Sequence, residues 1–274
     1  MENRGTDIVE RIAADFTEGN GPCMSCPKRD DDCYALPFYG YGKSDAEVVI
    51  VAESPGGTET VDKTDEHLHK DRKRRWKNYR ETGVEHERDV YESQIQSIGN
   101  LPIDAGGLPE RLAEDFSVYF TNSVKCSDIH HSQTISDEHR RLLNEYGKRR
   151  CLSHLDKELK FIEPDAVVVL GNSKSKDNLN HLETMFDFFE LSSEGPSGGT
   201  IKDYVHNSEY QSGQSPFSIY FSDNYDCHVI PSYHFTRGYN TYSEYTYGES
   251  NEDSSSNEKY CDEMANVLSV AIDS

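Results

Sequence analysis

Apolar residues along this chain gather in short runs separated by longer polar stretches, and four of the runs are patterned as β-strands. They are 47–52 (EVVIVA), 118–124 (VYFTNSV), 166–170 (AVVVL) and 228–233 (HVIPSY). The first and third are unbroken and β-branched instead of alternating, the pattern of strands covered on both faces in a parallel sheet. Helical spacing fills the intervals. Segment 137–161 carries Leu142, Leu143, Tyr146, Leu152, Leu155 and Leu159 near an i, i+3, i+4 repeat, and Glu163-Pro164 ends it. Segments 108–116 and 174–189 read as further helices, with terminal helices at 7–16 and 258–272. Strands alternating with helices predict an α/β fold: a three-layer αβα sandwich around a central four-stranded, mostly parallel sheet.

A chain of 274 residues can bury a full core without disulfide staples. The pattern predicts one domain over 1–274, with a core at about 20–237 and polar insertions at about 58–100, 192–216 and 238–257. Segment 192–216 is rich in Gly and Ser, and 238–257 is a Tyr, Ser and Glu tract with little to bury.

Composition changes the picture of the surface. The chain has 50 acidic residues against 28 Lys and Arg, a formal net charge of −22, and a mean hydropathy of −0.80. Carboxylates hold water and cations, and their mutual repulsion is tolerable where salt screens it, with a Debye length of about 3 Å at 1 M. The balance reads as that of a halophilic, salt-adapted protein. No stretch approaches the roughly 20 apolar residues of a membrane span, and Met1–Gly5 carries no apolar leader. A cytoplasmic monomer without membrane contact is expected.

The chain has seven cysteines, Cys23, Cys26, Cys33, Cys126, Cys151, Cys227 and Cys261, an odd number that disfavours a disulfide framework. Cys23-Met24-Ser25-Cys26 is a Cys-x-x-Cys knuckle, a spacing that lets two thiolates face one metal centre. Cys126 follows the second strand and Cys151 lies in the helix after it, so a βα unit can return the two to one place. Four thiolates suit zinc or an iron–sulfur cluster alike. Cys33, Cys227 and Cys261 read as structural.

Polar groups recur where strands end. The first strand runs into Ala52-Glu53-Ser54-Pro55-Gly56-Gly57, a turn that lets backbone approach a ligand, with Glu53 at its mouth. Glu53 can equally cap a following helix. The second strand carries Thr121-Asn122, whose amide can read a donor–acceptor edge. The fourth ends in Pro231-Ser232-Tyr233-His234-Phe235-Thr236-Arg237. Convergence of such groups at one sheet edge is what a small-ligand site requires.

The order of these motifs resembles the uracil-DNA glycosylase superfamily. It runs from Cys-x-x-Cys through strand-Glu-Ser-Pro-Gly, Tyr-Phe-Thr-Asn-x-Val-Lys-Cys, a helical Cys and Pro-Asp-Ala-Val-Val-Val-Leu-Gly to a strand ending Ser-Tyr-His. Among the branches it is most similar to the iron–sulfur one, often called family four. The resemblance implies excision of uracil from DNA, leaving an abasic site. It implies a structural [4Fe–4S] cluster on Cys23, Cys26, Cys126 and Cys151, with zinc as the alternative. It places Glu53 at the first-motif acid, Asn122 at the uracil-reading amide and His234 at the last-motif histidine; Gly56, in the turn after the first strand, is a further substrate-binding candidate. Three departures stand out. Ala52 replaces the usual Gly, His234-Phe235-Thr236 replaces His-Pro-Ser, and the segment that supplies a stacking aromatic is replaced by a polar stretch, roughly 58–100. The same fold without activity, binding single-stranded or damaged DNA, is the alternative.

That polar stretch has a signal of its own. Lys70 to Arg80 (KDRKRRWKNYR) holds seven of the 28 basic residues, with Trp76 and Tyr79 between them. Basic residues interleaved with aromatics suit phosphate contact and base stacking. Arg72, Arg74, Arg75 and Arg237 are therefore candidate DNA contacts, with single-stranded or uracil-containing DNA as the partner. A solvated helix face paired with neighbouring acids is the competing reading.

Overall fold

Val48–Ala52 (β3) is an inner strand of the observed sheet, and every one of its five residues is buried. Side chains alternate faces along a strand, so uniform burial means that both faces are covered, as the unbroken apolar run predicts. The computed structural model describes residues 34–37, 41–42, 45–53, 108–128, 151–171, 181–196, 199–211, 216–233 and 254–273.

The described residues divide into two compact units that interleave in sequence. One holds 34–37, 41–42, 121–128 and 151–161, and the other holds 45–53, 108–120 and the described residues from 162 onward.

In the second unit, Ala166–Gly171 (β6) lies parallel to β3, with Val48 opposite Ala166 and Val51 opposite Val169. Cys227–Tyr233 (β8) lies parallel to β6, with Ala166 opposite His228 and Gly171 opposite Tyr233. Tyr220–Ser222 (β7) adds an antiparallel edge. Val118–Asn122 (β4) lies on the other side of β3, giving the order β4–β3–β6–β8–β7; Tyr41–Gly42 (β2) is a two-residue strand of the first unit. The sheet therefore has five strands of three residues or more where the sequence predicts four. The missing one is β7, three residues long with Phe221 exposed, too short to show a period of two.

Helices Leu108–Asp115 (α1), His181–Phe188 (α3), Ile201–Val205 (α4) and Ser254–Ile272 (α5) belong to this unit. Both α3 and α5 pack on β6, α4 packs on β8, and α1 packs on α5. The close fit depends on Gly171, where a Cβ would meet Leu182 Cδ1 at 3.0 Å and Ile201 Cγ2 at 3.3 Å. The mixed, mostly parallel sheet with its helices is the expected α/β class.

Segment 192–216, read from its Gly and Ser content as a surface insertion, is corrected by α4. Ile201, Tyr204 and Val205 are buried in the core, and Phe186 meets the Tyr204 and Tyr220 rings edge-on, each at 4.8 Å. The helix starts at Thr200, whose N–H and hydroxyl both donate to the Asp203 carboxylate, at 2.6 and 2.8 Å. Composition averaged over the segment hides five residues that carry a buried face. At the other end, α5 begins four residues before the predicted 258.

In the first unit, Tyr34–Pro37 (β1) pairs antiparallel with Cys126–Asp128 (β5), placing Pro37 opposite Cys126. A helix covers 151–162 (α2), with 151–161 in this unit. It ends where Glu163 adopts φ 53° before Pro164, a left-handed stop of the kind that closes many helices. The predicted start of this helix at 137, the helix at 7–16 and residues 174–180 of the next one lie outside the described residues.

Candidate functional site

Strand direction decides where ligands can bind. β3, β6 and β8 are mutually parallel, and β4 begins beside the start of β3: Val48 N–H donates to Ser117 O at 3.1 Å, and the Glu47 carboxylate accepts from Ser117 N at 2.8 Å. β4 therefore runs with β3. In open α/β sheets, binding sites form beyond the carboxyl ends of the strands. Half-buried Glu53 directly follows β3, Asn122 is the last residue of β4, and Tyr233 is the last of β8. His234, the next residue, lies outside the described residues, as do Gly56, Arg72, Arg74, Arg75, Arg237, Cys23 and Cys26.

Asn122 is unusual on this edge. It is 1% exposed, and neither its Oδ1 nor its Nδ2 has a hydrogen-bond partner among the described residues. A buried polar group left unmatched costs about 1–3 kcal/mol, so natural cores rarely keep one without a use. A side-chain amide offers one donor face and one acceptor face.

Around it the first unit holds a fully buried polar cluster that the sequence reading missed. Lys125 Nζ donates to Glu158 Oε2 at 2.5 Å and to Thr121 Oγ1 at 2.6 Å, while Thr121 Oγ1 donates to the same Glu158 oxygen at 2.9 Å. All three residues are 0% exposed. A signal was present: Glu158, like His154, stands in the Leu155–Leu159 stripe of α2, where a helix face meant for a core would carry apolar residues.

The same segment bears on the cysteines. Lys125 N–H donates to Cys151 Sγ at 3.4 Å, and Cys126 is the next residue, opening β5. Lys125, just before β5, and Cys151 of α2 are thus in contact. A buried sulfur that accepts a backbone N–H is compatible with a thiol or with a bound thiolate alike. Among the described residues no group of three or more metal-ligating side chains occurs. Burial pushes the Cys227 thiol up to about 12, which keeps it protonated, and Cys261 is buried as well.

At the end of β8 the C-terminal helix holds the strand that leads to His234. Tyr233 N–H donates to Tyr260 Oη at 3.1 Å, and the Ser232 hydroxyl bonds the same oxygen. Full burial raises the Tyr260 hydroxyl far above its ordinary range, so it remains a neutral partner. The His206 ring lies 5.7 Å from that of Tyr233, and its Nδ1–H donates to Pro216 O at 2.6 Å. Burial holds this imidazole below its ordinary 6.5, so it is neutral at pH 7.

A family model, the Uracil DNA glycosylase superfamily, matches residues 39–246. The chain belongs to that superfamily. No curated protein matches it. Uracil DNA glycosylase superfamily members are mostly hydrolases that cleave bases from DNA, so the broad function is glycosylase-like and the substrate class is DNA. No helix among the described residues is long and apolar enough to cross a membrane.

Proposed function

We propose that the chain hydrolyses the N-glycosidic bond of deoxyuridine in DNA, releasing uracil and leaving an abasic site. The observation that carries this reading is the buried amide of Asn122, unmatched among the described residues, at the carboxyl end of β4. Uracil offers an N3–H donor beside an O4 acceptor, which the Asn Oδ1 and Nδ2 complement together. Cytosine offers the reverse pattern and meets like with like, so selection is strong where the amide is buried.

Cleavage leaves negative charge on the uracil O2 and positive charge on the sugar. His234 donates to O2 as its charge develops. Glu53 stabilises the oxocarbenium-like sugar or positions the water that adds its hydroxyl to C1′, while the departing uracil takes up a proton. The target base leaves the stack first, at a cost of a few kcal/mol that is least in single strands. Arg72, Arg74, Arg75 and Arg237 contact phosphate. Cys23, Cys26, Cys126 and Cys151 hold a [4Fe–4S] cluster of the iron–sulfur branch, or zinc, which supplies a structural cross-link. The protein acts as a cytoplasmic monomer at high salt. The altered motif His234-Phe235-Thr236 favours one second reading, an inactive protein that binds single-stranded or damaged DNA.

Excision from a single-stranded oligonucleotide with one deoxyuridine, in multimolar KCl with alkali to reveal abasic sites, tests the reading. Cleavage at the uracil is expected. Glu53→Ala and His234→Ala should each slow it about a hundredfold or more while the cluster absorbance near ~400 nm is kept. Binding without cleavage by cluster-loaded protein would establish the second reading instead.

A further inference from the structure

We infer that Thr121, Lys125 and Glu158 are positioning residues that orient the Asn122 amide and thereby set which base is accepted, an inference that rests on Asn122 reading the base. The three residues and Asn122 all belong to the first unit. Thr121 and Lys125 flank residues 122–124, where β4 ends, and both converge on one carboxylate oxygen of Glu158. The Lys125–Thr121 bond at 2.6 Å closes that segment into a ring. Asn122 is the first residue inside the ring, and its own amide contributes no hydrogen bond within the described residues that would fix it. Its orientation is therefore left to packing and to the backbone that the ring constrains.

Helix α2 holds the ring from outside at two points. Lys125 is gripped by its backbone N–H on Cys151 and by its ammonium on Glu158. Those two helix positions lie seven residues apart, two turns and about 10 Å along one face. The segment that carries Asn122 is thereby locked to helix α2. Whatever fixes Cys151 also fixes the ring, so a group held at that sulfur bears on base selection through packing and hydrogen bonds.

A buried ion pair is a poor choice for stability alone, since apolar residues of equal volume often do as well or better. Its directional bonds serve geometry instead. This separates a positioning role from a merely structural one, because the two predict opposite relations between stability and selectivity.

The experiment measures binding by fluorescence anisotropy to single-stranded DNA carrying a hydrolysis-resistant fluorinated deoxyuridine, and to the same strand with deoxycytidine in its place. Cluster absorbance and the melting temperature are recorded for every variant. Thr121→Val, which removes the hydroxyl at nearly constant volume, should lower the uridine-to-cytidine affinity ratio about tenfold with the cluster retained. Thr121→Ser should keep the wild-type ratio. The double variant Lys125→Met/Glu158→Leu should melt at or above the wild-type temperature and still lose discrimination. Asn122→Ala tells the two failures apart: if it leaves the ratio unchanged, the base-reading role itself is wrong. If Asn122→Ala abolishes discrimination while Thr121→Val and the double variant retain it, the positioning role is overturned. Should the double variant not fold, Thr121→Val against Thr121→Ser decides alone.

Discussion

On the proposed reading, Asn122 records a conflict between folding and function. Its amide is buried at 1% exposure with both polar atoms unmatched among the described residues, a cost that a purely structural position would have removed. Replacing it with leucine, close in volume and apolar, should stabilise the fold by roughly 1–2 kcal/mol, read as a higher melting temperature at fixed salt. The same variant should lose uracil excision by about a hundredfold or more. A loss of stability instead would mean that the amide has partners in the folded protein. That Asn122 is special was partly legible, since it sits at a strand end in a polar-edged motif. Its isolation was not, because hydrogen-bond partners are a property of what packs around it. The same holds for Lys125 and Glu158, 33 positions apart in sequence yet 2.5 Å apart in space.

Elements were legible in proportion to how local their cause is. β3 and β6 follow from continuous β-branched runs, and α2 from its leucine spacing and its stop at Glu163-Pro164. β7 and α4 were missed because three and five residues give too little period to count, and their burial comes from neighbours such as Phe186. The C-terminal helix was expected, but not its job. Tyr260 joins α5 to the last two residues of β8 through one hydroxyl that serves both Ser232 and the Tyr233 N–H. Tyr260→Phe removes that oxygen and with it both hydrogen bonds, so it should destabilise the protein by about 1–3 kcal/mol. A melting temperature within a degree of wild type would show that the two elements are held together by apolar packing alone.

At the scale of the whole molecule, charge is the property that the chain carries most openly. A formal net charge of −22 makes self-repulsion a standing cost that falls as salt shortens the Debye length from about 10 Å at 0.1 M to about 3 Å at 1 M. The melting temperature should rise steadily between 0.1 and about 2 M KCl. A flat or falling curve would mark an acidic protein with no dependence on salt. Charge, the α/β class, the parallel core strands and the positions of Glu53 and Asn122 at strand ends could all be read from sequence, because each depends on composition or on short-range periodicity. Which strands neighbour one another, that Lys125 and Glu158 form a buried pair, and that Cys151 accepts a hydrogen bond from the residue before Cys126 were decided by tertiary structure. Those facts arise from contacts between residues far apart in the chain, where the energies of burial and pairing depend on neighbours that no local pattern names.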